Sequence, residues 1–334
     1  MSPTLSRADA NTLSLRHLYA PIADELRQVE DLLRSQMRSQ HAYVDELVRY
    51  GCLLGGKRLR PALVLLAGRA VGHIAPQHVP LAAVIEMVHT ASLIHDDVLD
   101  DADIRRHLAT VNSRWDNKTS VLLGDFLFTH AFCLASSVGS VWACRELSSA
   151  TNTVCEGELR QKGTRGEYGL SEADYLDIIA AKTAALYACS CSIGAHFGGA
   201  SESWTERFAL FGRDLGIAFQ IVDDVLDLAG DEQTVGKSLG TDLAQHKLTL
   251  PLIHVLGSAD PADRQRVLAI LQRQGNHRQQ ALVPYFQRYD AFAYAYDVAR
   301  RYTQQAAQRL DGLPPSAACE RLQELTEFVI TRSV

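Results

Sequence analysis

The 334-residue chain has no run of about 18 uninterrupted apolar residues, the length that a membrane-spanning helix needs. Its seven cysteines include no CxxC pair, so a disulfide scaffold, a zinc ribbon and a dithiol redox centre are not expected. Six of them (Cys52, Cys133, Cys144, Cys155, Cys189 and Cys191) fall in apolar or helical stretches, with Cys319 near the end, and all are expected as buried thiols in a reducing cytoplasm. Basic charge is not in excess. Lys plus Arg is 33 against 39 Asp plus Glu, a net charge of −6, which argues against a general nucleic-acid binder but not against an anionic ligand held by a few placed cations. GxGxxG is absent, and no Ser or Cys stands in a triad-like context. The opening MSPTLSRADANTLSLRH lacks an apolar h-region, so no secretory signal is expected.

What remains is helical nearly everywhere. Ala, Leu, Gln, Arg and Glu dominate, only ten prolines occur, and no segment alternates in the manner of a strand. The periodicity predicts helices at 17–50, 57–72, 79–101, 111–137, 140–162, 171–198, 203–229, 242–257, 261–273, 290–311 and 317–332, with Pro61, Pro80, Pro251 and Pro261 near helix starts. No linker, repeat or step in composition divides the chain. The reading is one all-α domain over 17–334, a bundle of more than four helices, after an N-terminal extension at 1–16.

Two of these helices carry the same pattern of acids. One reads Asp96-Asp97-Val98-Leu99-Asp100 and the other Asp223-Asp224-Val225-Leu226-Asp227, each inside an otherwise apolar helix. Spacing of i,i+4 sets Asp96 with Asp100, and Asp223 with Asp227, on one face. Like charges so placed destabilise a helix by about 0.2–0.5 kcal/mol per pair, and burial costs more unless a cation is present. Oxygen-only donors point to a hard cation, Mg²⁺ or Mn²⁺, whose shell phosphate oxygens and water complete. Two such helices across a cleft would hold metal ions with phosphates between them.

A cleft that takes diphosphates also needs cations. Lys57 and Arg60 stand at a helix start, where positive side chains oppose the helix dipole unless an anion is bound. Arg105 and Arg106 follow the first acidic cluster, while Lys237 and Lys247 follow the second. Lys182 and Thr183 lie within a helix. His89 is seven residues before Asp96, and Gln220 three before Asp223, each close to the face of its aspartate.

With these residues the chain resembles the trans-isoprenyl diphosphate synthases, the polyprenyl synthetase family. The matching stretches are GGKRLRP (55–61), HTASLIHDDVLDDADIRR (89–106), SVLLGDFLF (120–128), KTA (182–184), FQIVDDVLD (219–227) and GKSLGTDLAQHKLTLPLI (236–253). The resemblance implies an all-α fold around a deep central cavity, a cytoplasmic homodimer, and Mg²⁺-dependent head-to-tail addition of isopentenyl diphosphate to an allylic diphosphate. It implies metal binding by Asp96, Asp100, Asp223 and Asp227. It gives Lys57, Arg60, His89 and Arg106 to isopentenyl diphosphate, and Arg105, Lys182, Thr183, Gln220, Lys237 and Lys247 to the allylic diphosphate. Membrane contact would be peripheral, at product release. His107 and Ala109 depart from the Gly and Pro-Thr steps common in the family, which bears on the loop beside the diphosphate site.

Rival readings fit less well. A terpene cyclase would pair one DDxxD with an Asn/Ser/Glu triad, a head-to-head condensing enzyme would want a reductant site, and a silent subunit of a heteromeric synthase would tolerate eroded acidic motifs. In the family an aromatic residue four or five positions before the first Asp stops growth at short products. Here those positions hold Ser92 and Ala91, with Val88 a turn deeper, and Phe128 and Phe132 on a later helix are the next candidate obstruction. A helical turn of about 5.4 Å approximates one isoprene unit, so the expected product is about C25 or longer, near C40, rather than a short chain of about C15–C20.

Overall fold

The computed structural model describes residues 15–53, 56–105, 107–229, 240–273 and 278–332. The expected all-α architecture is present. Its main helices are α1 (Ala23–Gln36), α2 (Ala42–Leu53), α3 (Leu59–Val71), α4 (His78–Leu99), α5 (Asn117–Ser137), α6 (Val141–Gly163), α7 (Glu172–Ile179), α8 (Ala185–Phe197), α9 (Glu202–Ala229), α10 (Leu250–Ser258), α11 (Pro261–Leu271), α12 (Arg278–Arg288), α13 (Ala291–Arg309) and α14 (Ala317–Thr331). At the centre, α9 packs between α8 and α13, and α4 packs against α5 and α3. Core residues from α3, α4, α8 and α9, among them Leu63, Leu65, Ile85, Met87, Tyr187 and Phe211, are fully buried. Several helix starts follow from single residues: Asp116, Ser140, Ser171, Asp260 and Ser316 each accept a backbone N–H of the first turn, worth about 1 kcal/mol apiece.

The periodicity misplaced some breaks. The helix expected at 17–50 is a short 3₁₀ turn at Ala20–Ile22 followed by α1 and α2, because Asp45 accepts from Ser39 N (3.1 Å) and Arg38 Nε (2.9 Å) and holds the intervening turn. The stretch 111–137 breaks where Asp116 caps α5. The stretch 242–257 is a short turn, Thr241–Ala244, then α10, with His246 in the left-handed region between them (φ 58°). Helix α12 was not anticipated, because it contains Pro284, which pattern reading treats as a breaker. A two-residue antiparallel pairing, Ile104–Arg105 with Leu108–Ala109, closes what was expected as plain loop, and His107 takes φ 64° at its turn. Cys133 and Cys155 are exposed rather than buried, Cys155 because it faces the central cavity, and Cys144 is half-buried; Cys189, Cys191 and Cys319 are buried as expected.

The span 171–198 is helical but not uniform. Between α7 and α8 the chain makes a π turn at Ala180–Ala184, which carries Lys182 and Thr183. It lies against α6 and α9 at two glycines. A Cβ on Gly157 would stand 2.5 Å from Lys182 N, and one on Gly216 2.7 Å from the Ala184 Cα. Only hydrogen at those positions lets three helices meet there. Among the described residues two helical segments, Asn117–Ser137 and Glu172–Phe197, are long and apolar enough to cross a membrane by length and composition alone, yet both pack on other helices of the bundle.

Candidate active site

A cavity of about 1300 Å³ opens among the helices, and most of the residues singled out by the sequence line it. From α4 and its C-cap come His89, Ser92, Leu93, Asp96 and Asp100; from the approach to α3 and its first turn, Lys57 and Arg60; from the π turn, Lys182 and Thr183; from α9, Gln220 and Asp223. Arg105 and Lys247 also line it. Arg106 and Lys237 lie outside the described residues.

The first aspartate of each cluster faces the cavity and the second is built into the protein. Asp97 is buried and takes Arg105 Nε and Nη2 on one oxygen, each at 2.8 Å. Asp224 is buried between Tyr175 Oη, which donates at 2.6 Å, and Gln220 Nε2 at 2.7 Å. Gln220 in turn accepts from Thr183 Oγ1 at 2.8 Å, so Thr183, Gln220, Asp224 and Tyr175 form one chain of hydrogen bonds along the wall. Burial, then the nearby Asp242 carboxylate, pushes Asp224 well above the usual carboxylate range.

The fifth positions differ. Asp100 reaches the cavity and is held by Arg165 Nη2 at 2.9 Å and by Lys247 Nζ at 3.2 Å from both oxygens. Asp227 does not reach the wall. It is buried and accepts from Thr241 Oγ1 (3.1 Å) and Asp242 N (3.2 Å), tying α9 to the turn at Thr241–Ala244. Asp242, in that turn, instead lines the cavity 3.6 Å from Lys247. Asp223 lies 3.3 Å from Arg332, whose guanidinium stacks on Phe219 and donates to the Phe219 carbonyl at 2.7 Å.

The electrostatics of the wall centre on Asp96. Burial, followed by the charges of Glu158 and Asp100, raises Asp96 to about 6 even though Lys182 and Arg105 pull it down. Burial lowers the Lys182 ammonium, but Asp96 and Glu158 more than offset this and its pKa is raised. Lys182 is paired with Glu158 and donates to Gln161 Oε1 at 2.9 Å. Among the described residues no group of three His, Cys, Asp or Glu side chains converges to enclose a metal ion. The acids that line the cavity offer only carboxylate oxygens, a donor chemistry that fits Mg²⁺, which takes one or two carboxylates and fills its shell with phosphate and water. Asp96, Asp100 and Asp223 line the cavity and could hold it.

Away from the acids, Arg60 lies over the Tyr187 ring (4.6 Å) with Nε buried and unbonded, and Lys57 stands 5.9 Å from the Phe328 ring. The neighbouring Arg58 is structural: it pairs with Glu30 and, at 2.7 Å, with Glu86. On the other side the lining is apolar or weakly polar, with Ser92, Phe128, Val154, Cys155 and Leu159. Val88 and Ala91 are buried in the core and do not line the cavity, and Phe132 packs half-buried against the core. Glu86, His95 and Leu99 of α4 also line the cavity, so Val88 shares the angular sector of His95 and Leu99 and is kept from the cavity by the packing around it, while Ala91 points into the core. Glu158, Gln161, Tyr175, Asp242, Arg165 and Arg332 were not singled out by the sequence. Each belongs to a loop, a helix end or a helix without an acidic cluster, and only GTDLAQHK offered a local signal, for Asp242.

Residues 41–286 match the family model described as polyprenyl synthetase. The chain is 34% identical over 317 residues to heptaprenyl diphosphate synthase component 2 of Geobacillus stearothermophilus, covering 95% of this chain and 98% of that one. It is 33% identical over 321 residues to octaprenyl diphosphate synthase of Escherichia coli, covering 96% and 99%. Among solved structures, a polyprenyl synthase from Caulobacter crescentus complexed with calcium and isoprenyl diphosphate superposes with a TM-score of 0.91 at 33% identity, over 96% of this chain and 98% of that one.

Proposed function

Because the chain belongs to the polyprenyl synthetase family and is therefore a prenyltransferase, we propose that it adds isopentenyl diphosphate head-to-tail to an allylic diphosphate, with Mg²⁺ or Mn²⁺, and makes a long all-trans product. The observation that carries this reading is one cavity lined by apolar residues, by Asp96, Asp100 and Asp223, and by the cations Lys57, Arg60, Lys182 and Lys247. Bound metal would supply charge neutralisation for the leaving diphosphate. Lys182, Lys247 and Arg105 would hold that diphosphate as the allylic C–O bond breaks and its electron pair leaves with oxygen. Lys57, Arg60 and His89 would hold isopentenyl diphosphate so that its terminal alkene carbon bonds to the allylic cation. A proton is then lost from the adjacent carbon, and the released diphosphate is the base. Burial of the reacting carbons among Leu93, Phe128 and Tyr187 keeps water from the cation.

Product length is set where the apolar pocket ends. Ser92 and Phe128 line it, Ser92 leaves the first turn open, and the favoured product is near C40, at about one isoprene unit per 5.4 Å turn. The protein is read as a cytoplasmic homodimer, with Val121 and Leu122 exposed on α5 as the apolar face to be covered. Resemblance to a protein named component 2 of a heptaprenyl diphosphate synthase favours one second reading, the subunit of a heteromeric enzyme. Incubating the pure protein with Mg²⁺, isopentenyl diphosphate and each allylic starter, and sizing the products, tests both. Product of about C15–C20 from every starter refutes the long-chain reading, and no product from the protein alone favours the heteromeric one.

A further inference from the structure

The turn after α6 carries Arg165, whose contact with Asp100 was given no role in the proposed reaction. Arg165 donates from Nη2 to Asp100 Oδ1 at 2.9 Å, on the same carboxylate that Lys247 reaches. Its Nε is buried without a hydrogen-bond partner. The turn is held in place: Gly166 N donates to the His246 carbonyl at 3.0 Å, Thr164 N to Arg160 O at 3.1 Å, and Tyr168 Oη to Leu271 O at 3.2 Å. From the facing loop Gln245 Nε2 donates to the Asp100 carbonyl at 2.9 Å. Two loops therefore close on the end of α4 and set two cations on one carboxylate.

Asp100 is also one of the acids placed to hold a divalent cation. An oxygen bound to such an ion is a poor acceptor for a guanidinium, because the two positive groups then crowd one another. Arginine cannot relieve this by losing its proton. Its stem is fixed by a pinned turn, and its Nε already lacks an acceptor, so displacement from Asp100 leaves it in need of another anion nearby. A diphosphate lying against the same metal supplies one, and the edge of a guanidinium that carries Nε and Nη2 matches two phosphate oxygens. Building on the condensation reading above, we propose that Arg165 is a further diphosphate-binding residue, paired with Asp100 in the metal-free protein and transferred to the allylic diphosphate when metal is bound.

The test compares wild type with Arg165→Met and Arg165→Lys in the full chain. Binding of Mn²⁺ alone is followed by electron paramagnetic resonance, and binding of inorganic diphosphate in Mg²⁺ by calorimetry. Arg165→Met should bind Mn²⁺ several-fold more tightly, because a competitor for Asp100 is gone. It should bind inorganic diphosphate about tenfold more weakly, the loss of one charge-assisted contact, with a matching rise in the allylic KM and little change in that for isopentenyl diphosphate. Arg165→Lys should recover part of the diphosphate affinity. Unchanged diphosphate affinity in Arg165→Met overturns the proposal, and so does joint weakening of Mn²⁺, diphosphate and isopentenyl diphosphate with a lowered Tm, which marks a purely structural residue. Wild-type protein that binds Mg²⁺ and diphosphate but condenses nothing would refute the condensation reading while the Arg165 comparison still decides this one.

Discussion

Metal binding by the free enzyme should be gated by the proton on Asp96. Burial raises that carboxyl to about 6 from an ordinary 3.8. Each pH unit is worth about 1.4 kcal/mol, so ionising Asp96 in this fold costs about 3 kcal/mol more than in water, and somewhat less with solvent screening at the mouth. The metal needs the ionised form. Apparent affinity for Mn²⁺ should therefore fall by up to about tenfold per unit as pH drops below 6, and should be nearly flat above it. The neighbours give the sign of two further shifts. Lys182 pulls the Asp96 pKa down and Glu158 pushes it up, so Lys182→Met should move the break to higher pH and Glu158→Gln to lower pH. Stability runs the other way. The raised carboxyl favours the fold most when it is protonated, and that contribution is lost as pH rises from the unfolded value through about 6. A Mn²⁺ titration from pH 5 to 8 without diphosphate, read by electron paramagnetic resonance, reports the break directly. A break near the ordinary carboxylate value, or one unmoved in Asp96→Asn, would refute the assignment of Asp96 as the buried ligand.

Other consequences are separable. Lys57→Ala or Arg60→Ala should raise the KM for isopentenyl diphosphate more than that for the allylic substrate, and Lys182→Ala should do the reverse; equal effects on both would mean the cations are divided wrongly. Ser92→Tyr should shorten the product and Phe128→Ala lengthen it, as read by chromatography of the dephosphorylated products. Ala91→Tyr, at a position with no exposed surface, should instead overpack the core at about 1–3 kcal/mol, and a stable variant with a cleanly shortened product would overturn that view of α4. Gly157→Ala should lower Tm by a few degrees and weaken allylic binding, because its methyl would press on Lys182 N; an unchanged Tm by calorimetry counts against a rigid π turn.

Much of this was legible in the chain itself. Helical periodicity and the scarcity of proline specify an all-α bundle, since each apolar stripe must be buried on another. The spacing of Asp96 with Asp100 puts two carboxylates on one face by local geometry alone, and oxygen-only donors already imply a hard cation. What local pattern does not carry is the direction in which each face points once neighbouring helices are packed. Asp227 has the same i,i+4 relation to Asp223 that Asp100 has to Asp96, yet it is drawn away to Thr241 and Asp242 N because the chain turns back there. Val88 and Ala91 sit within two residues of the cavity stripe, and the packing of α4 places them outside it. Arg165, Glu158 and Arg332 become part of the site only because loops and helix ends far apart in sequence converge on Asp100, Lys182 and Asp223. Secondary structure and donor chemistry follow from short-range sequence, where neighbours along the helix decide. Which carboxylate meets the cavity, and which cation meets that carboxylate, depends on long-range contacts that only the folded chain brings together.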